Sequence, residues 1–204
     1  SLIRAGYAVS EIRIPAGEAY KTIETVAHLW EGFIRAGVER SSTIVALGGG
    51  VTGDLTGFAA ATFLRGVPWV NIPTTLLAMV DSSLGGKTGA DLPQGKNLIG
   101  AFHAPRLVFA DPQVLATLPP RELRCGLAEA LKHGVIADPL LYRLCAAGWP
   151  VEVEAAAELV SRAAAVKVQV IEQDPYERGL RQALNLGHTI GHGVELASGY
   201  QLSH

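Results

Sequence analysis

TIVALGGGVTGD, residues 43–54, decides the fold: a continuous apolar run is followed at once by three glycines and then by a helix-forming stretch. Thr43 to Leu47 suits a strand buried on both faces, and residues 52–64 read as the helix that follows it. Glycines at Gly48, Gly49 and Gly50 let backbone amides approach an anion, and the helix dipole behind them favours negative charge. Asp54 falls in the first turn of that helix. The spacing is neither a GxGxxG fingerprint nor a Walker sequence. Taken alone, the motif fits a tight packing turn as well as it fits a phosphate cradle.

The same rhythm extends outward on both sides. IRIP (12–15) reads as a strand end and residues 19–36 as an amphipathic helix, while VPWVNIP (67–73) and RLVFADP (106–112) supply two further strands. Strands alternating with helices indicate a parallel α/β layer. From Pro119 onward the pattern changes: residues 121–145, 151–172 and 183–197 are helical stretches rich in Ala, Leu and Glu. The paired prolines of LATLPPREL (115–123) therefore mark the expected boundary between a first domain, 1–118, and a second, 119–204.

With 204 residues, 49% apolar and 18% charged, the chain can bury a sizeable core. A formal net charge of −2 gives no overall field toward nucleic acid or an anionic membrane, and neither partner is expected. Cys125 and Cys145 form no CxxC pair, so a disulfide framework is not expected and a reducing cytoplasm fits better. No apolar run reaches membrane-spanning length, and residues 1–10 lack the pattern of a secretory leader. The chain begins at Ser1 without an initiating methionine, from which an excerpt of a longer polypeptide is expected.

Several polar residues stand out against this apolar background. LNLGHTIGHGVELASGYQLSH (184–204) places His188, His192 and His204 close in sequence, and His188 and His192 lie four apart on one helical face, where both could reach one ion. Glu129 and Lys132, three apart in AEALKHG, sit on an apolar helix and are either a surface ion pair or a functional one. SSLGGKTG puts Lys87 on a glycine-rich, flexible backbone, and GKN adds Lys96 and Asn97. Lys167 lies on an Ala/Val-rich helix, and Arg181 and Asn185 precede His188. Cations on several helices could together hold a small polyanion; singly, each is more often a solvated charge. Two glycine loops in one α/β layer favour a nucleotide or a phosphorylated substrate.

GGGVTGDLTGFAAATFLRGVPWVNIPTTLLAMVDSSLGGKTG, then GKNLIGAFHAP, LAEALKHG and LNLGHTIGH, together resemble the 3-dehydroquinate synthase family, in the right order and from the GEAYK segment (17–21) to His204. The resemblance implies a Rossmann-like parallel-sheet nucleotide-binding domain followed by an all-helical metal- and substrate-binding domain, with the chain corresponding to a central fragment truncated at both ends. It implies NAD and a divalent metal, zinc with cobalt as an alternative, a phosphorylated sugar-acid substrate, and a homodimer in the full-length enzyme. The implied reaction converts 3-deoxy-D-arabino-heptulosonate 7-phosphate to 3-dehydroquinate and phosphate by transient oxidation, β-elimination, reduction, ring opening and aldol closure, with NAD unchanged at the end.

Carried over position by position, the resemblance assigns Glu129, His188 and His204 as metal ligands, leaving a position open for substrate as a catalytic zinc requires. This departs from helical spacing, which pairs His188 with His192; the resemblance makes His192 a proton-transfer or substrate-contact residue. Glu18, Lys21, Gly49, Gly50, Val51, Thr52, Gly53, Asp54, Thr74, Thr75, Lys96, Leu115, Ala116 and Thr117 match nucleotide contacts. Asp81, Lys87, Asn97, Lys132, Lys167, Arg181 and Asn185 match the substrate lining, with Lys87 belonging to both groups. Competing readings are another NAD- and metal-dependent sugar-phosphate cyclase, a metal-dependent alcohol dehydrogenase, or an inactive NAD-binding fragment. Arg181 and Asn185 favour the dehydroquinate branch, because they would face the substrate's carboxylate end.

Overall fold

Helix α1 (Ile23–Arg35) starts where Thr22 accepts a hydrogen bond from the Thr25 amide at 3.3 Å, and it buries the stripe Val26, Leu29 and Phe33. The computed structural model describes residues 2–150 and 152–198. After α1 come strand β1 (Ile44–Gly48), helix α2 (Gly50–Thr62) and strand β2 (Trp69–Pro73). They realise the strand, glycine turn and helix that residues 43–54 predict, with the helix starting two residues earlier. Strand β1 pairs in parallel with β2, and β2 with the short β5 (Leu107–Val108), giving the order β1-β2-β5. The backbone at IRIP is not a strand.

Two expectations are corrected in this layer. The glycine-rich segment around Lys87 is not a flexible loop: β3 (Lys87–Leu92) and β4 (Gly95–Phe102) form an antiparallel hairpin packed on α2 through Ala90, Leu55 and Phe58. Strand β1 is not buried on both faces. Ala46 packs with Ala60 and Trp69, but Leu47 is 66% exposed and, with Val45, Leu107 and Phe109, presents an apolar row that no described element covers.

The helical part comprises α3 (Pro120–Ala137), α4 (Pro139–Ala146), α5 (Val153–Gln173) and α6 (His188–Ala197). The stretch 121–145 is two helices rather than one. Pro139 disfavours helical geometry in the residue before it, and Asp138 there caps α4 by accepting from the Leu140 and Leu141 amides at 2.9 and 3.0 Å. The stretch 183–197 likewise divides into a 3₁₀ turn, Leu180–Asn185, and α6.

What positions the site is the segment after β2. Thr75 Oγ1 accepts from the Ala78 amide at 3.2 Å, and Ala78–Ser82 then runs as a π-helical turn. Leu76, Met79 and Val80 leave the sheet and enter the core of the helical layer with Ala130, Leu141, Leu159 and Ala163. A Cβ at Gly126 of α3 would lie 2.5 Å from both Leu76 Cβ and the Leu77 amide, so only glycine allows this approach. The turn thereby carries Asp81 against α3 and α5. Both cysteines are buried and free. No described helix is long and apolar enough to cross a membrane.

Candidate functional site

The buried stripe of α5 is Ala156, Leu159, Val160, Ala163, Val166, Lys167 and Val170, so helical periodicity drives one ammonium into an apolar layer. An ammonium there must be paired. Lys167 Nζ donates to Asp81 Oδ1 at 2.5 Å and to the Asp81 main-chain carbonyl at 2.8 Å. Burial would raise the Asp81 carboxyl, but the Lys167 charge and hydrogen bond, with the charge of Lys132, outweigh it and hold the group well below the usual carboxylate range.

Around this pair lies a cavity of about 640 Å³. It brings together Asp81, Lys87, Asn97, Lys132, Lys167, Arg181 and Asn185, the whole described part of the expected substrate lining, although these residues span about a hundred positions of sequence. Asp54 and His188 reach the same space. Its cations crowd one another: burial, then repulsion from Arg181 and Lys167, lowers the Lys87 pKa, and burial lowers Arg181. Lys167 is also lowered, because burial and the nearby Lys132 and Arg181 outweigh its bond to Asp81. Such a basin gains most from an incoming anion. Arg181 is 2% exposed and already donates to the carbonyls of Pro175 at 2.5 Å and Gly85 at 3.3 Å, so it also ties the loop after α5 to the start of the hairpin.

Glu129 and Lys132, both on α3 and both buried, are hydrogen-bonded to each other. On the far side of Glu129, Oε1 lies 3.4 Å from His188 Nε2. His188 Nδ1 is 3.4 Å from Asn185 Oδ1, and Asn185 Nδ2 donates to Glu177 Oε1 at 2.8 Å, which fixes which way the amide faces. Glu177 in turn is paired with Lys87. A proton on His188 Nδ1, facing an amide oxygen, leaves the Nε2 lone pair aimed at the Glu129 carboxylate. A carboxylate and an imidazole lone pair facing each other suit a cation between them, and the orienting amide behind the imidazole is the usual outer support of a metal ligand. His204, the third expected ligand, lies outside the described residues, as does the His192 side chain.

Part of the expected nucleotide set gathers at the start of α2. Thr74 donates its amide to the Gly48 carbonyl at 2.9 Å, and a Cβ at Gly49 would lie 3.0 Å from Thr75 Cγ2, so Gly49, Gly50, Thr74 and Thr75 share one corner at the carboxyl ends of β1 and β2. Val51, Thr52 and Gly53 form the first turn of α2. Lys21 is 5% exposed and bridges Asp54 Oδ2 and Asn97 Oδ1, each at 2.6 Å. Burial works against its ammonium, but the charge and hydrogen bond of Asp54, with Glu18 and Asp91 beyond, hold the Lys21 pKa above the ordinary lysine value. Lys21 thus joins the expected nucleotide group to Asn97 of the substrate group. Glu18 and Lys96 are 3.7 Å apart. The Leu115 side chain is 1% exposed in the helical core, whereas Ala116 and Thr117 are exposed.

Sequence reasoning missed Glu177 and His133. Glu177 lines the cavity with a left-handed φ of 57°, in a DPYERG turn whose Asp174 caps the amides of Arg178, Gly179 and Arg181. The Asp-Pro start and the following glycine signal such a turn, but nothing local aims its glutamate at Lys87. His133 adjoins Lys132 in sequence and is wholly buried.

The fold and site together are a parallel α/β layer joined to a helical layer, with a cation-lined cavity beside a facing carboxylate and imidazole. The model of the 3-dehydroquinate synthase N-terminal region matches residues 11–125, and that of the 3-dehydroquinate synthase C-terminal region matches residues 126–204. The chain belongs to the 3-dehydroquinate synthase family. It is 52% identical over 207 residues to the 3-dehydroquinate synthase of Rippkaea orientalis, covering 98% of this chain and 57% of that one. To the Pelobacter propionicus enzyme of the same name it is 53% identical over 204 residues, again covering 98% and 57%. It therefore spans somewhat over half the length of these relatives.

Solved structures agree. 2-epi-5-epi-valiolone synthase from Streptomyces hygroscopicus subsp. jinggangensis, with NAD+ and Zn2+ bound, superposes with a TM-score of 0.86 at 36% identity, covering 94% of this chain and 55% of that one. A 2-deoxy-scyllo-inosose synthase complexed with carbaglucose-6-phosphate, NAD+ and Co2+ gives 0.82 at 34% identity, covering 95% and 54%. An iron-containing alcohol dehydrogenase from Corynebacterium glutamicum, at 22% identity and 0.54 over 72% of this chain and 45% of that one, shares the fold alone.

Proposed function

We propose that this chain carries the catalytic cavity of a 3-dehydroquinate synthase, acting in the shikimate pathway on 3-deoxy-D-arabino-heptulosonate 7-phosphate to give 3-dehydroquinate and phosphate. The observation that carries the proposal is the cavity itself: Lys87, Lys132, Lys167 and Arg181 converge beside the facing Glu129 and His188. A substrate with a carboxylate and a phosphate matches such a cluster in charge. The glycine corner at residues 48–50 is the proposed NAD site, within a nucleotide domain 1–118, and the helical domain 119–204 supplies most of the substrate and metal groups. Zinc or cobalt fits the carboxylate–imidazole pair, with His204 as the third ligand. When bound, NAD supplies a temporary hydride acceptor and the metal polarises the substrate hydroxyls.

The chain's own residues bind and orient. Lys167, Lys87 and Arg181 would hold the anionic ends, and Asp81, kept ionised by Lys167, would accept a hydrogen bond from a substrate hydroxyl. Glu177, now shared between Lys87 and Asn185, exchanges those partners for the substrate and is left able to take a proton at its carboxylate. A cytoplasmic location and a homodimeric complete enzyme belong to the same reading.

The test is incubation of the purified chain with NAD, zinc and the heptulosonate phosphate, following both phosphate release and 3-dehydroquinate. Equal amounts of both products are expected. Product-free binding of NAD would favour a nucleotide-binding fragment, and steady NADH accumulation would favour a dehydrogenase.

A further inference from the structure

Behind the cavity wall, His133 of α3 is fully buried and takes no part in the roles assigned above. Its Nδ1 lies 3.1 Å from the Ala163 carbonyl of α5. A carbonyl only accepts, so Nδ1 carries a proton. The other nitrogen, Nε2, has no hydrogen-bond partner and faces Asp81 Oδ1 at 3.7 Å, the same oxygen to which Lys167 donates at 2.5 Å. The imidazole is therefore wedged between a helix carbonyl and the side chain that the π-helical turn delivers into the cavity. Oδ1 of Asp81 is bracketed by Lys167 from α5 and His133 from α3, while the same residue lines the cavity.

We propose that His133 is a positioning residue for Asp81: anchored through Nδ1 to Ala163, it turns the Nε2 lone pair toward Oδ1 and so bars the carboxylate from rotating toward α3, leaving it in the orientation that Lys167 pairs and that meets the substrate. The proposal rests on the substrate-binding reading of the cavity. A different use of the same ring has to be weighed against it, because donor atoms of Asp81, Glu129 and His133 all lie within 4.8 Å of one another. The Asp81 oxygen that faces His133 is the one already paired with the Lys167 ammonium, whereas the Glu129 oxygen that faces His188 is Oε1 and Lys132 meets Oε2, so at His133 the positive charge a cation would bring is supplied by the chain. His133 therefore works through Asp81 and coordinates nothing.

The test begins with the 204-residue chain labelled with ¹⁵N-histidine, read by long-range ¹H–¹⁵N spectra. Nδ1 of His133 is expected to carry a proton. Asp81→Asn should move the His133 Nε2 resonance while leaving the His28 and His103 resonances in place, as the contact between Nε2 and that carboxylate requires. Titration with zinc should shift His188 and spare His133. An Nε2 resonance unmoved by Asp81→Asn, or a His133 ring that shifts with stoichiometric zinc as a ligand does, overturns the proposal. In the product assay, His133→Gln should retain turnover within about threefold, since its amide can still donate to Ala163, whereas His133→Phe should lower kcat at least tenfold with bound zinc unchanged. Parallel losses in both variants would mean that His133 only fills space. An unmodified chain without product would count against the proposed activity and leave the spectroscopic result to decide the role of His133.

Discussion

Two lysine–aspartate pairs of nearly identical geometry behave in opposite ways. Lys21 and Asp54 are 2.6 Å apart, Lys167 and Asp81 are 2.5 Å apart, and all four side chains are largely buried. Yet the pKa values of Lys21 and Asp54 are both raised, whereas those of Lys167 and Asp81 are both lowered. Both ammoniums suffer first from burial; the neighbours decide the balance. Glu18 and Asp91 reinforce Asp54 around Lys21, whereas Lys132 and Arg181 oppose the charge of Lys167. One pair sits among further carboxylates, Glu18 and Asp91, and fastens Asn97 of the hairpin to α2. The other sits in an excess of positive charge that an anion would relieve. A salt bridge is thus read from the charges around it rather than from its own length.

The largest effect follows from breaking the Lys21–Asp54 pair. Lys21→Met leaves Asp54 buried beside Glu18 and Asp91 with no compensating cation, and should cost about 3 kcal/mol of stability. Lys167→Met should cost less, about 1 kcal/mol, because the Lys132 charge remains near Asp81 and one source of repulsion is removed. Urea unfolding of the two variants checks the order; equal losses would erase the distinction.

An acid titration sharpens it. The folded Asp81 carboxyl is held below its unfolded value of about 4, so its contribution is complete above that pH and is lost as pH falls from there through the lower folded value. The unfolding midpoint should therefore decline below about pH 4 by less in Asp81→Asn than in the unsubstituted chain. An identical decline in both would remove Asp81 as the source.

The contrast between local and assembled features also explains what the sequence made legible. Residues 43–54 could be read because strand period, glycine turn and helix onset are all local. The hairpin 87–102 could not: Gly89 belongs to a segment that reads as flexible, yet it allows the other strand close, a Cβ there lying 2.5 Å from the Ile99 carbonyl. Its strands are fixed by packing on α2, which no local pattern records. In the site, the cations were visible one by one, but only the resemblance joined them, since Asp81, Lys132, Lys167 and Arg181 meet through a turn that leaves the sheet layer. Glu177 and His133 escaped because their partners, Lys87 and Asp81, lie far away in sequence.

A smaller effect concerns the cysteines. Burial pushes the Cys145 thiol up to about 11, so it is protonated at neutral pH and enclosed beneath α3 and α5. Thiol-specific labelling at pH 8 should be slow in the folded chain and complete in urea. Rapid labelling of Cys145 without denaturant would show that the helical layer opens more readily than its packing implies.

Calorimetric titration of 3-deoxy-D-arabino-heptulosonate 7-phosphate into the zinc-loaded chain tests most directly that the Lys167–Asp81 pair is the anion site. Lys167→Met should weaken binding at least tenfold, the scale of one charge-assisted hydrogen bond of about 1.5–3 kcal/mol, while Lys21→Met, if folded, should change it by no more than about threefold. Binding that is indifferent to Lys167, or that depends equally on Lys21, would contradict the account.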